Sequence, residues 1–151
     1  MKFQEQLPYR VATTVEAPFE RSMVSVILQR AKDAGCDFYI FQDNELLGNF
    51  PKLSVDEATE RAVAHYKPVK REEWDWGVFV RYENIYFTFY FYPLDDYTMA
   101  FDMVLQEDYW ELKGYLGGRQ EGVPDFNKYI RFSLDISTDF TLLDVATTPL
   151  L

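Results

Sequence analysis

The stretch from Trp74 to Gln106, WDWGVFVRYENIYFTFYFYPLDDYTMAFDMVLQ, repeats apolar residues with a period of two through three successive runs, which is the spacing of a strand with one buried face. Trp74, Trp76, Val78, Val80 and Tyr82 share one side of the first run, and Ile85, Phe87, Phe89 and Phe91 share one side of the second. A two-residue turn at Glu83-Asn84 sets Tyr82 opposite Ile85, Val80 opposite Phe87, Val78 opposite Phe89 and Trp76 opposite Phe91, so both apolar faces coincide. A one-residue slip would separate them. With a turn at Pro93-Leu94-Asp95-Asp96, a third run of Tyr97, Met99, Phe101 and Met103 joins the pair. An odd-numbered loop then places Phe91 opposite Tyr97, Phe89 opposite Met99, and Phe87 near Phe101. The pattern predicts a three-stranded antiparallel meander over Trp76 to Val104.

The flanking chain supplies elements to pack around this meander. Tyr9, Val11, Thr13 and Val15 alternate as a strand over Tyr9 to Glu16. Pro18 suits the first turn of a helix whose apolar stripe is Phe19, Met23, Val26, Ile27, Ala31 and Ala34 and which Gly35 stops. Phe38 to Gln42 reads as a short aromatic strand, and Asp43-Asn44-Glu45 as a turn into Leu46-Leu47. Ser54 and Glu57 form a capping-box pattern for a second helix striped by Val55, Ala58, Ala62, Val63 and Tyr66, with Pro68 beyond its end. Asp108 to Tyr115 fits either a short helix ending at Gly114 or an extension of the third strand, and Gly117 to Pro124 has the composition of a loop. Ile130, Phe132, Leu134 and Ile136 alternate with polar residues and predict a strand on an edge of the sheet. The tail after it carries no assignment. The expected fold class is α+β: an antiparallel β-sheet of about five to seven strands, with the meander at its centre, packed by two amphipathic helices. At 151 residues, without a repeat or a linker, residues 1–151 fit a single domain that buries about two thirds of its unfolded surface in one core.

The reverse face of the meander is half polar. It carries Asp75, Phe79 and Arg81, then Tyr86, Thr88, Tyr90 and Tyr92, then Thr98, Ala100, Asp102 and Val104. One reading covers it with a helix and lets the tyrosine hydroxyls reach water at the rim. The other makes it a binding face, because tyrosine combines a large rigid contact area with a polar tip.

Charge narrows the choice of partner. The formal charge is −10 with 48% apolar residues, so the acid belongs to a folded body rather than to a solvated tail. Residues 1–75 hold 10 basic and 13 acidic side chains, and the remainder 5 and 12, which concentrates the acid in the aromatic half. Such a field repels nucleic acid and anionic membrane surfaces and attracts a basic protein. The first residues lack the apolar core of a signal peptide, and no run approaches the ~20 apolar residues of a membrane helix, so a soluble, cytoplasmic protein is expected. The lone Cys36 forms no internal disulfide, in keeping with a reducing compartment.

No arrangement of residues specifies a catalytic, metal or cofactor site. His65, the only histidine, falls near the end of the second helix, where a cation suits the helix dipole, and one His with one Cys does not make a zinc set. Asp95, Asp96 and Asp102 lack the spacing and the glycine of a calcium loop. Cys36 follows a helix C-terminus, whose negative end raises a thiol pKa. Gly117-Gly118 matches neither a phosphate loop nor a dinucleotide turn. What stands out is an acidic and aromatic set for binding a partner: Asp95 and Asp96 on a hairpin turn, Asp102, Tyr86, Tyr90 and Tyr92 on the polar face, and Glu107, Asp108 and Glu111 where the third strand runs out.

In small size, acidity, aromatic richness and absence of catalytic motifs, the chain resembles bacterial immunity proteins. That resemblance of composition implies a non-enzymatic protein that neutralises a basic cognate toxin. The alternative is a small-molecule-binding domain or enzyme with an aromatic-lined pocket between sheet and helices. A third reading, an oligomeric subunit, calls for a symmetric apolar interface.

Overall fold

The three alternating runs of the meander do become strands. The computed structural model describes residues 10–42, 52–65, 76–83, 85–105 and 126–148. In chain order the elements are β1 (Arg10–Glu16), α1 (Arg21–Asp33), β2 (Asp37–Gln42), β3 (Lys52–Leu53), α2 (Val55–His65), β4 (Trp76–Tyr82), β5 (Ile85–Pro93), β6 (Met99–Leu105), α3 (Phe126–Ile136) and β7 (Thr141–Thr148). The strands form one antiparallel sheet in the order β3-β2-β4-β5-β6-β1-β7. The fold is α+β, with helices packed on an antiparallel sheet.

The meander lies at the centre of that sheet. Tyr82 pairs with Ile85 and Val80 with Phe87, as a two-residue turn requires. Glu83 has φ 57°, the positive value that hairpin turns of this length demand. The next hairpin differs from expectation. Pro93 lies opposite Met99, Phe91 opposite Phe101, Phe89 opposite Met103 and Phe87 opposite Leu105, in place of the pairs Phe91–Tyr97 and Phe89–Met99. Turn chemistry accounts for the change. The Leu94 and Asp95 amides both donate to the Thr98 carbonyl, at 2.9 and 3.3 Å, and the Tyr97 amide donates to Asp95 Oδ1 at 2.7 Å. These bonds place the loop at Leu94 to Thr98, two residues further along the chain, and leave Tyr97 in it at 76% exposure.

The second correction concerns residues 126–136. The run expected as an edge strand is helix α3, and the edge strand is the following segment, β7, which pairs with β1. Tyr129, Phe132, Ser133 and Ile136 are buried, which is the i, i+3, i+4, i+7 spacing of a helix face, while Leu134 is partly exposed. Helical packing thus outweighs the four-residue alternation, and among the described residues three helices, rather than the expected two, cover the sheet.

Local signals place the start of α2 where expected, whereas α1 begins at Arg21 after Glu20 as its N-cap, so Pro18 precedes the helix rather than lying in its first turn. The Glu57 amide donates to Ser54 Oγ at 3.1 Å and the Ser54 amide to Glu57 Oε1 at 3.2 Å, a reciprocal capping box at the start of α2. Helix α1 ends at Asp33 with Ala34 as its cap, Gly35 follows with φ 106°, and the Cys36 amide returns to the Ala31 carbonyl at 3.0 Å. The core lies between the helices and the sheet face that carries Val11, Val15, Phe38, Val80, Phe87, Phe89, Phe91, Met99, Phe101 and Met103. Phe87 meets Phe89 and Tyr129 edge to face with ring centres 5.2 and 5.8 Å apart, and Phe132 meets Tyr82 at 4.3 Å. These edge-to-face contacts suit the quadrupoles of the rings. The turn expected at Asp43-Asn44-Glu45, the Leu46-Leu47 hairpin, Asp108 to Tyr115 and the loop Gly117 to Pro124 lie outside the described residues. Among those described, no helix is long and apolar enough to cross a membrane.

Candidate functional site

All described helices contribute to the core on one face of the sheet, so the polar side chains of β1, β5 and β6 meet on the other. On that face the half-buried Arg10 and Tyr92 close around the buried Asp102, a polar cluster drawn from three neighbouring strands. Arg10 Nη2 donates to the Tyr92 hydroxyl at 2.5 Å and forms an ion pair with Asp102 Oδ2, to which the Tyr92 hydroxyl also donates. Asp102 Oδ1 and Arg10 Nε have no hydrogen-bond partner among the described residues. Burial pushes the Asp102 carboxyl up, and Tyr92 and Arg10 pull it only partly back. Burial lowers the Arg10 value, but its two partners outweigh that and hold the guanidinium above its ordinary value. The partners respond differently because the Arg10 side chain keeps 37% of its surface exposed and that of Asp102 only 5%. Burial, then the bond to Asp102, drives the Tyr92 phenol well above its usual range.

Towards the β5–β6 turn the character of the molecule changes. Glu16 ends β1 opposite Thr141, at the same end of the sheet as the turn that joins Pro93 to Met99. Leu94, Asp95, Asp96 and Tyr97 are all exposed there, as are Leu142 and Leu143 at the start of β7. Four of the six exposed large apolar side chains among the described residues therefore share one end of the sheet. Among the described residues no basic side chain pairs with Asp95, Asp96 or Glu16, nor with Asp144 a little further along β7. Bases elsewhere are engaged: Arg21 with Glu60 and Asp56, Arg30 with Asp139 at 2.5 Å, Lys32 and Lys52 with Asp37, and Lys128 with Glu83 at 2.6 Å. The Tyr97 amide, and then Thr98, hold the Asp95 carboxyl below its ordinary value, so it is a carboxylate at neutral pH.

The residues singled out in the sequence separate into groups. Asp95 and Asp96 sit together on the exposed turn. Asp102 and Tyr92 also meet, with the carboxylate buried and the Tyr92 hydroxyl donating to it. Tyr90 is half-buried in β5 opposite Asp102, and Tyr86 pairs through its backbone with Arg81. Glu107, Asp108 and Glu111 lie outside the described residues. Sequence reading missed Arg10, whose even-numbered position on β1 was its signal, and Tyr97, which it assigned to the core. It also missed Leu142 and Leu143, in the unassigned tail. The remaining candidates for chemistry stay quiet. Burial, and then Asp37, drive the Cys36 thiol far above its normal range, so it is no nucleophile. No group of three or more His, Cys, Asp or Glu side chains suited to a metal occurs among the described residues. No protein-family model, curated protein or solved structure matches the chain.

Proposed function

We propose that this chain is a non-enzymatic binding protein that captures a basic protein partner, in the manner of an immunity protein neutralising a toxin. The observation that carries this reading is the turn end of the sheet, where carboxylates without basic partners among the described residues and exposed apolar side chains occur together. Binding surfaces combine these two properties: aromatic and aliphatic anchors supply affinity, and surrounding charge selects and steers the partner. Tyr97 offers the anchor, and Asp95, Asp96 and Glu16 the charge. The net charge of −10 extends the attraction beyond the contact itself. The Arg10–Tyr92–Asp102 cluster ties β5, β6 and β1 together on the polar face of the same sheet.

The test is capture from the native cell lysate at low salt, with wild-type protein and the double variant Asp95→Lys, Asp96→Lys as paired baits. The expected result is a basic protein retained by the wild type and largely lost by the variant, while both baits show the same thermal denaturation midpoint. Equal retention of the same partner by both baits would place the site elsewhere.

A further inference from the structure

The geometry points to β7 as the edge on which an extended, basic segment of that partner docks as an additional strand. The inference rests on the proposed binding function and specifies its mode. Strand β7 is eight residues long, is last in the sheet, and pairs only with β1 among the described strands, so its outer row of backbone amides and carbonyls has no strand partner among the described residues and suits an added strand. The opposite edge, β3, is two residues long and offers little to pair with. Edge strands are ordinarily blunted by lysine, proline or bulges. In TLLDVATT there is neither lysine nor proline. One irregularity, where Val15 pairs with Leu142 and Thr14 with Asp144, leaves Leu143 unpaired but keeps Asp144 to Thr148 in regular register with β1.

Charge selects the occupant. The one charge on β7 is Asp144, exposed beside Thr14, and no described base pairs with it. A second copy of this chain would bring two bodies of charge −10 together, whereas a basic segment meets an attractive field and can set a Lys or Arg across from Asp144. On the other side of the added strand, apolar side chains would cover Leu142 and extend the partly buried Val145.

The test uses two probes, an acetylated eight-residue peptide of alternating Lys and Val and its Glu-Val counterpart, titrated against the full chain. Hydrogen exchange at the backbone amides is followed in parallel. The expected result is binding of the Lys-Val peptide with slowed exchange in Asp144 to Thr148, weakened at least tenfold in Asp144→Lys, which instead gains affinity for the Glu-Val peptide. The variant Asp33→Lys, Asp56→Lys changes twice as much charge at exposed positions of α1 and α2, away from the edge and from the β5–β6 turn, and is expected to keep the Lys-Val affinity within about threefold. No binding of the Lys-Val peptide, equal binding by Asp144→Lys, or protection confined to the β5–β6 turn would overturn the inference. So would a dimer seen by sedimentation that Asp144→Lys dissolves, because the edge would then serve a second copy. Lysate capture that depends on Asp95 and Asp96 while β7 stays unprotected would leave the proposed function standing and remove only this mode of docking.

Discussion

At the scale of single residues, the side chain with the most distinctive consequence is Asp102. It lies 3% exposed, with one oxygen bonded by Arg10 and Tyr92 and the other without a partner among the described residues. A buried carboxylate left half satisfied costs free energy that the protonated form avoids. Its folded value is raised, so its contribution to stability is fully present below the unfolded value and is lost as pH rises through the folded one. Urea denaturation across a pH series should therefore show the wild type losing stability relative to Asp102→Asn as pH climbs above the ordinary aspartate range. A trend of the opposite sign would mean that Arg10 favours the carboxylate more than burial opposes it. Asp95 works in reverse. Its value is lowered, so whatever it contributes is present above the unfolded value and fades as pH falls. In the core, Phe89 is 2% exposed between the rings of Phe87, Phe91 and Phe101. Truncation to Ala should cost about 3–5 kcal/mol, read from the denaturation midpoint, because the surrounding rings cannot all collapse into the space.

At the scale of elements, what was legible in the sequence depended on whether a local rule fixed the register. The two-residue turn at Glu83-Asn84 allows one alignment of β4 with β5, and that alignment is found. The five-residue turn before β6 is different, because moving it two residues along the chain exchanges partners without changing which faces of β5 and β6 meet the core, and only Tyr97 leaves it for the loop. Alternation is blind to an even shift, and Asp95 decided it by capturing the Tyr97 amide. In α3 the buried Ser133 disguised the helical stripe as an alternation. In β7 the adjacent Leu142 and Leu143 broke the period of two, since the unpaired Leu143 interrupts the pairing with β1. Helix ends were easier, being written in single residues. Ser54→Ala should lower stability by about 0.5–2 kcal/mol through loss of the cap of α2. Gly35→Ala should cost about 1–3 kcal/mol through backbone strain alone, since an added Cβ meets no atom within 4 Å. Chemical denaturation of the two variants checks both figures, and a neutral Gly35→Ala would show that the chain relaxes out of its φ of 106°.

At the scale of the whole molecule, the acidity of the second half of the chain was legible as a count, but its arrangement was not. Asp95 and Asp96 announced an exposed turn, whereas the closeness of Glu16 to that turn follows from β1 lying beside β6, a pairing that no local pattern encodes. This long-range placement is what separates steering from anchoring in the proposed complex. Reversing Asp95 and Asp96 alters the field that an approaching basic partner meets, and at 0.1 M salt that field reaches only about 10 Å. The double variant should therefore slow association and flatten its dependence on ionic strength, with little change in dissociation. Tyr97, 76% exposed and uncharged, contributes nothing to the field but offers a full aromatic surface for burial. Tyr97→Ala should leave association nearly unchanged and speed dissociation at least tenfold, equivalent to about 1.4 kcal/mol. Stopped-flow mixing and surface-bound dissociation of the captured partner, each at two salt concentrations, read the two effects separately. If both variants changed the same rate constant in the same proportion, charge and anchor would not divide the work, and a single contact elsewhere on the sheet would have to account for capture.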